Sequence, residues 1–317
     1  MSLLPQRRGL DVPDPRPAIP NGWMGIGFAD EVAIGQVLSR HILGRDLVLF
    51  RGQNGTLSVV DAYCPHLGAH LGCGGTVIGN DIRCPYHFWQ FDASGKCSRV
   101  PYGTSIPASA ALKSYPCREI NGFIFVWHHD KAVAPSWEIP AHPVVVNPEY
   151  YFVEKREHLF NGHPQDISEN GADFAHFTAI HGWEGVKLKF TPDGHCYRVG
   201  YDTGDVDTGY GETGTVDVDS LAVGPGYTYT HYTGANDWLM MTCFTAVDPG
   251  VVYLHQIYYA HRSIPRHQAR TLIDAVDNEW RKDIRIWEGK CYREKPTLNN
   301  GDGPIAQFRR WYQQFYQ

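Results

Sequence analysis

The sequence contains no apolar run that approaches the roughly 18 residues needed for a membrane-spanning helix. Its N-terminal segment also lacks the continuous apolar stretch and small-residue cleavage site of a secretion signal. Eight cysteines in 317 residues are too few for a disulfide scaffold, and no two of them form a Cys-x-x-Cys pair. We therefore expect a cytoplasmic protein without a membrane span.

Concentrated positive charge is missing as well. The chain has 28 Lys and Arg against 34 Asp and Glu, a formal net charge of −6, and no basic cluster. Nucleic acid is not an expected partner, because binding to its phosphates needs concentrated Lys and Arg side chains. Apolar residues make up 43% of the chain and aromatic residues 13%, which is enough for the core of one large domain or of two ordinary ones.

The first part of the chain has the pattern of a small all-β domain. Short runs of β-forming residues are separated by Gly and Asn turns. These runs lie at 47–50, 57–60, 76–78 and 122–127. We expect this domain to span residues 23–130, after an extended N-terminal arm over residues 1–22.

A second domain, over residues 131–317, is predicted to be α+β. Four prolines between residues 135 and 148 suit a connection that crosses the surface. After them we expect a helix around 166–177, a strand-rich region from 187 to 261, and a terminal helix over 268–287.

Residues 209–214 in the strand-rich region spell Gly-x-Gly-x-x-Gly, a pattern found in dinucleotide-binding proteins. The alternating run from Thr215 to Asp219 that follows is typical of a strand, whereas a pyrophosphate site needs a helix N-terminus at that point. We interpret the motif as a glycine-rich hairpin.

The strongest pattern in the sequence is a pair of Cys-His motifs. Cys64 and His66 form Cys-x-His, and Cys84 and His87 form Cys-x-x-His. Two thiolates suit one iron of a 2Fe-2S cluster, and two neutral imidazoles suit the other. A zinc site uses the same residue types, but zinc fingers pair their cysteines with each other. We predict that these four residues bind a cluster, in the pattern of Rieske proteins, which this motif resembles.

Two histidines in the second domain form a candidate site for a single iron ion. His176 and His181 would lie about 140° apart on a regular helix, so we predict that the helix is interrupted between them. Gly182 favours such a break. Asp173 shares a helix face with His176, and its carboxylate is expected to orient the His176 ring.

A non-haem Fe(II) site that activates O₂ needs a carboxylate besides two histidines. In the terminal helix an apolar arc at the helical period contains one acidic residue, Asp283. A carboxylate on a buried apolar face is costly unless it is paired or bound to a metal. Asp283 is therefore predicted as the third ligand, and a salt bridge to an arginine such as Arg262 is the alternative.

These motifs together resemble those of Rieske non-haem iron oxygenase α subunits, and most closely the 3-ketosteroid 9α-hydroxylase oxygenases and cholesterol 7-desaturases. Phe88 is a departure, because glycine is usual after the second cluster histidine. The similarity covers nearly the whole chain, and the segments that carry it are 19–23, 63–72, 169–171, 170–181, 283–288, 301–304 and 308–312.

The resemblance implies an N-terminal Rieske domain, a helix-grip catalytic domain in which helices flank an antiparallel sheet, and a homotrimer. It also implies one Rieske 2Fe-2S cluster and one mononuclear Fe(II) per chain. Asp173 would be the bridge that takes electrons from a Rieske histidine, and Asn170 would contribute near the iron.

The expected function is that of a terminal oxygenase. It would use O₂ and electrons from a separate NAD(P)H-dependent flavin and iron-sulfur reductase, or from a ferredoxin, to hydroxylate or desaturate a hydrophobic, steroid-like substrate. An O- or N-demethylating monooxygenase and a Rieske electron-transfer protein remain alternatives. The candidate pocket residues are Tyr227, Tyr229, Tyr232, Trp238, Met240, Met241, Phe244 and Tyr258.

Overall fold

The computed structural model describes residues 13–183, 187–207, 213–234 and 236–317, with only the backbone for 202–207 and 213–215. The chain divides into two compact units. One covers Ile26–His128, and the other combines the residues up to Gly25 with His129–Gln317. The end of the expected N-terminal arm thus groups with the C-terminal unit. Within the described ranges, no helix combines the length and apolarity needed to cross a lipid bilayer.

The unit over Ile26–His128 is built from small antiparallel sheets, as predicted. Its strands are β1 (Gly22–Phe28), β2 (Val37–Ile42), β3 (Arg45–Arg51), β4 (Leu57–Asp61), β5 (Thr76–Ile78), β6 (Asp81–Arg83), β7 (Gln90–Phe91), β8 (Cys97–Arg99), β9 (Ser114–Tyr115), β10 (Cys117–Ile120) and β11 (Phe123–His128). They form three sheets, in the orders β1-β11-β10, β2-β3-β4-β9 and β5-β6-β7-β8.

The core of this unit joins two of the sheets. Phe50 on β3 and Val60 on β4 belong to one buried cluster with Ile82 on β6. Cys64 and Cys84 are members of the same cluster. The two thiols are therefore held by the apolar core of the unit and not by mobile surface loops.

The C-terminal unit contains a seven-stranded antiparallel sheet in the strand order β12-β18-β17-β16-β15-β14-β13. Its strands are β12 (Tyr150–Asn161), β13 (Lys187–Asp193), β14 (Cys196–Asp207), β15 (Thr213–Val223), β16 (Tyr227–Gly234), β17 (Trp238–Asp248) and β18 (Val251–His261). The strand-rich region is confirmed, whereas β12 was not predicted. Thr215–Asp219 belongs to β15 as expected, and residues 209–212 of the glycine motif lie outside the described part of the chain.

In the described part of this unit, the α-helices are α1 (Pro164–Glu169), α2 (Phe174–Ala179), α3 (Arg266–Gly289) and α4 (Ile305–Tyr312). Short 3₁₀ helices cover Ala29–Glu31, Pro143–Val146, Asn170–Ala172 and Gln313–Tyr316. The single helix expected around 166–177 is split into α1 and α2. The split falls at Asp173, whose φ of −90° and ψ of 83° are not helical.

Helix α3 packs its apolar face on one face of the sheet. Ile273 of α3 shares a buried cluster with Met240 on β17 and Tyr258 on β18, and Trp287 shares one with Phe244. Burying side chains of this size contributes roughly 1.5–3 kcal/mol each. The same packing fixes the rotation of α3, and hence the direction in which its Asp283 side chain projects.

Candidate functional site

The two Cys-His loops of the N-terminal unit are built in the same way. The backbone carbonyl of Cys64 accepts a hydrogen bond from the amide of Gly68, and the backbone amide of Cys64 donates to the carbonyl of Ala69. Cys84 makes the same two backbone hydrogen bonds, with Phe88 and Trp89. Each cysteine thus closes a tight loop that ends at the same core.

The donor atoms of these loops form an inner and an outer pair. Cys64 and Cys84 are 3% and 1% exposed, whereas the rings of His66 and His87 are partly exposed, with centroids 4.6 Å apart. The His66 ring stacks on Trp89 at 4.5 Å and an interplanar angle of 8°. Two buried sulfurs beneath two outward imidazoles fit the donor set of a 2Fe-2S cluster with mixed ligands.

Burial also affects the acid-base chemistry of one thiol. It raises the pKa of Cys64 to about 11, with a further contribution from the adjacent Cys84 and partial opposition from the His66 amide. The Cys64 thiol therefore stays protonated at neutral pH unless a cation replaces its proton, and binding of a cluster would release that proton.

In the C-terminal unit the chain from α2 onward brings His176 and His181 together. Helix α2 ends at Ala179, and the turn after it is widened: the amide of Trp183 donates to the carbonyl of Phe177, six residues earlier. Gly182 takes the left-handed φ of +70° that this turn requires. The two rings lie 5.1 Å apart at 81°. The predicted interruption between the two histidines is therefore present.

Asp283 of α3 completes the group. Its carboxylate is 7% exposed, and its Oδ2 lies 3.3 Å from Nε2 of His181. One ligand atom from each of His176, His181 and Asp283 lies within 4.8 Å of the other two. The side-chain amide of Asn170 donates to Oδ2 of Asp283 at 3.0 Å. No contact joins Asp283 to Arg262 in the described residues, since the Arg262 guanidinium donates to the Pro148 carbonyl.

Both imidazoles are oriented through Nδ1. His176 Nδ1 contacts the backbone carbonyl of Asp173, and His181 Nδ1 contacts the carboxylate of Glu279 at 2.8 Å. Because both partners only accept, Nδ1 carries a proton in each ring, and Nε2 of His176 keeps its lone pair. Nε2 of His181 faces the Asp283 carboxylate, so this ring gives up its Nε2 proton when it binds a metal. Two imidazoles and a carboxylate, with their remaining atoms held by hydrogen bonds, fit an Fe(II) site.

Two details differ from expectation. The carboxylate of Asp173 does not orient the His176 ring; it caps α2 by accepting from the His176 amide at 3.3 Å, while its carbonyl holds the ring. Glu279 was missed, although its position one turn before Asp283 on the same helix was a usable signal.

The pKa values of the two histidines move in opposite directions. Burial lowers the pKa of His176, which favours the neutral imidazole that a metal requires. Burial also acts to lower the pKa of His181, but its hydrogen bonds to Asp283 and Glu279 outweigh that effect and raise it. Burial raises the pKa of Asp173, with partial opposition from His176.

A cavity of about 180 Å³ adjoins the three residues. Its walls come from α2, α3 and the sheet, and its lining includes Phe177, Trp183, Tyr197, Tyr201, Ser220, Thr228, Thr230, Tyr232, Met240, Phe244, Val276 and Trp280. Of the eight predicted pocket residues, Tyr232, Met240 and Phe244 line it. The remaining five do not, so that part of the prediction was wrong.

Comparison with known proteins assigns this arrangement to a family. Residues 126–316 match the model of the 3-ketosteroid 9alpha-hydroxylase C-terminal domain, and residues 22–116 match that of the Rieske [2Fe-2S] domain. The chain therefore belongs to the Rieske oxygenases that carry this C-terminal domain. It is a Rieske-type oxidoreductase, and its cofactors are a Rieske 2Fe-2S cluster and a mononuclear iron.

Relatives from animals and bacteria agree with this assignment. Cholesterol 7-desaturase nvd of Xenopus laevis is 34% identical over 95% of this chain and 72% of its own length. A probable 3-ketosteroid-9-alpha-monooxygenase, oxygenase component, of Rhodococcus rhodochrous is 29% identical over 98% of this chain and 83% of its own. The predicted family resemblance is confirmed.

Solved structures show the same fold. Dicamba monooxygenase bound to dicamba superimposes with a TM-score of 0.74 at 18% identity, over 93% of this chain and 97% of that one. NdmA of Pseudomonas putida CBB5 with caffeine gives a TM-score of 0.77 at 20% identity, over 92% and 89%. The predicted fold class, a Rieske domain followed by a catalytic domain with an antiparallel sheet, is confirmed.

Proposed function

We propose that this chain is the oxygenase component of a multi-component system and that it hydroxylates or desaturates a hydrophobic substrate of the steroid class. The observation that carries the proposal is the convergence of His176, His181 and Asp283 beside a cavity with predominantly aromatic and apolar walls. The names of the cholesterol 7-desaturase and 3-ketosteroid monooxygenase relatives support the choice of substrate class.

In this proposal the cluster is held by Cys64, His66, Cys84 and His87. The mononuclear iron is held by His176, His181 and Asp283, each of which offers one ligand atom to a common point. When bound, these groups supply single electrons and the activation of O₂.

The chain itself supplies orientation. The carbonyl of Asp173 and the carboxylate of Glu279 hold the two imidazoles through Nδ1, and Asn170 holds one oxygen of Asp283. The apolar walls exclude water and fix the C–H bond that reacts next to these ligand atoms. We further propose that Asp173, at the start of α2, passes electrons from a Rieske histidine to the His176 segment.

The partners follow from the class of enzyme. The chain needs O₂ and a separate reductase or ferredoxin, and we propose an NAD(P)H-dependent flavin and iron-sulfur reductase. We further propose a homotrimer, to be checked by measuring the mass of the assembly in solution. A cytoplasmic location suits the eight cysteines, none of which forms a disulfide.

Substrate oxidation coupled to O₂ uptake tests this proposal. The cluster-loaded and iron-loaded protein, with a surrogate reductase, is incubated with cholesterol and with 3-ketosteroids, and products are identified by mass spectrometry. Gain of one oxygen atom indicates hydroxylation, and loss of a hydrogen molecule indicates desaturation. The proposal fails if steroids give neither product while an O- or N-methyl compound is demethylated.

A further inference from the structure

We infer that three hydroxyl groups on the sheet wall of the cavity, those of Tyr201, Ser220 and Thr230, bind an uncharged oxygen function of the substrate. We call these three side chains the hydroxyl cluster. The inference rests on the proposed function, since it concerns the same cavity, and it adds the chemical class that this cavity selects.

The hydroxyl cluster spans three neighbouring strands. Ser220 on β15 and Thr230 on β16 are direct cross-strand partners, and their hydroxyl oxygens lie 3.1 Å apart. Tyr201, on the neighbouring strand β14, lines the same wall as Ser220. Ser220 is thus the central member, and all three side chains line the cavity.

A count of donors shows that the hydrogen-bonding capacity of the hydroxyl cluster is only partly used. Each of the three hydroxyls has one proton to donate and two lone pairs. The hydrogen bond between Ser220 and Thr230 uses one of the three protons, and a bond between Tyr201 and Ser220 would use one more, so at least one proton and several lone pairs are left for another molecule. Ser220 and Thr230 are only 8% and 7% exposed, so bulk water has little access to them. A group that can accept the free proton, or both donate and accept, is the matching ligand.

The hydroxyl cluster and the candidate iron ligands lie on different walls of the cavity. His176, His181 and Asp283 come from α2, the turn after it, and α3, whereas the hydroxyl cluster belongs to the sheet. A substrate that contacts both walls has its oxygen function held at one point and its reacting carbon at another. Two-point contact of this kind selects which carbon is oxidised.

The charge of the walls limits the substrate to neutral molecules. No Lys or Arg lines the cavity in the part of the chain that the structure describes, while Glu279 and Asp283 do. At the sheet wall, which carries no iron ligand, a carboxylate or sulfate would lack a cationic partner. The geometry therefore fits an alcohol or ketone on an apolar frame.

Equilibrium binding to the fully loaded enzyme tests the inference with four probes: cholesterol, its 3-keto counterpart, its 3-deoxy counterpart and cholesteryl sulfate. We expect the alcohol and the ketone to bind about 3- to 10-fold more tightly than the 3-deoxy probe, and the sulfate to bind more weakly than all three. In the variant Ser220→Ala/Thr230→Val, the ratio of the affinity for the alcohol or ketone to that for the 3-deoxy probe should fall towards one. If the double variant does not fold, Ser220→Ala alone serves, because it removes the hydroxyl that pairs with Thr230 and lies on the middle strand of the three.

Thr228→Val is the matched control. Thr228 lines the same wall, but its hydroxyl already donates to the Leu221 carbonyl at 3.1 Å, so the preference should persist in this variant. The inference is overturned if the wild type shows no preference, or if the double variant weakens all probes equally. It is also overturned if Thr228→Val abolishes the preference as fully as the double variant. In these cases the proposed function stands. If the wild type neither binds nor oxidises any neutral probe, the proposed function fails together with the inference.

Discussion

Gly68 and Phe88 occupy equivalent positions in the two Cys-His loops, each four residues after its cysteine and each with a left-handed backbone, at φ of +74° and +61°. This geometry favours glycine at both positions, so Phe88 is under backbone strain. A residue other than glycine in this conformation costs roughly 1–2 kcal/mol. A cation–π contact offsets part of this strain energy at Phe88, because the Arg83 guanidinium lies over its ring at 5.2 Å from the ring centroid.

The first prediction concerns this backbone strain. Phe88→Ala keeps the strain and loses the ring, so we expect it to be about 1 kcal/mol less stable than Phe88→Gly. Gly68→Ala should cost a similar amount from the backbone alone, since a Cβ at Gly68 meets no atom within 4 Å. Urea unfolding of the cluster-loaded protein measures both differences. Equal stability of the two Phe88 variants would refute this account.

The second prediction concerns Glu279, which accepts from His181 and is paired with Lys282. Loss of its charge should weaken the orientation and basicity of His181. We expect Glu279→Gln to release the mononuclear iron about 10- to 100-fold more readily. Iron loss to a chelator is the measurement, and Glu288→Gln, an exposed change on the same helix, is the control. Retention equal to that of the control would show that Glu279 does not support the site.

The third prediction separates the two roles of Asp173. Asn at this position also caps a helix, so Asp173→Asn should keep its stability and its iron while turnover fails. Asp173→Ala removes the cap as well and should cost about 1 kcal/mol of unfolding free energy. Iron content, unfolding and substrate oxidation are measured on both variants. Normal turnover in Asp173→Asn would end the proposal that this carboxylate takes part in electron transfer.

The fourth prediction is a pH dependence set by Asp166 at the start of α1. Burial acts to raise the pKa of Asp166, but Lys290 and Arg16 outweigh it and lower the value to about 2. The carboxylate contacts Arg16 at 2.9 Å and Lys290 at 3.3 Å. Because the folded-state pKa lies below the unfolded one, this stabilisation is present above pH ~4 and is lost as the pH falls towards 2.

The size of this effect is about 2 kcal/mol, from the difference between the two pKa values. We expect Asp166→Asn to be destabilised by about that amount at pH 7 and to converge with the wild type on acidification. Unfolding free energies at neutral and acidic pH give the comparison. A constant difference between the two proteins across this range would rule out Asp166 as the titrating group.

Local motifs were the part of the site that the sequence could predict. The two Cys-His pairs, His176 and His181 are each recognisable within a few residues, and Asp283 followed from the apolar arc of its helix. Contacts between distant segments were not predictable in this way. Asp277 falls outside that arc yet is buried, because it pairs with His158 at 2.7 Å. His158 lies on β12, a charged segment whose strand pattern is weak.

The pocket prediction failed for reasons of strand alternation and helix cover. Tyr232, Met240 and Phe244 lie on the face of the sheet that borders the cavity. Met241 follows Met240 on β17, so its side chain projects from the opposite face of the sheet. Tyr229 is the cross-strand partner of Met241 and projects from that opposite face as well. Trp238 and Tyr258 face the cavity side but are packed against α3. Composition identified an aromatic region, but only the strand register shows which side chains reach the substrate.

The most direct test of the central claim is the iron and sulfide content of purified His176→Ala protein, compared with wild type and with Cys64→Ser. We expect about three irons and two acid-labile sulfides per chain in the wild type. His176→Ala should lose about one iron and keep the low-average-g electron paramagnetic resonance signal of the reduced cluster, whereas Cys64→Ser should lose that signal. If His176→Ala keeps all of its iron, the mononuclear iron is not held by His176, His181 and Asp283.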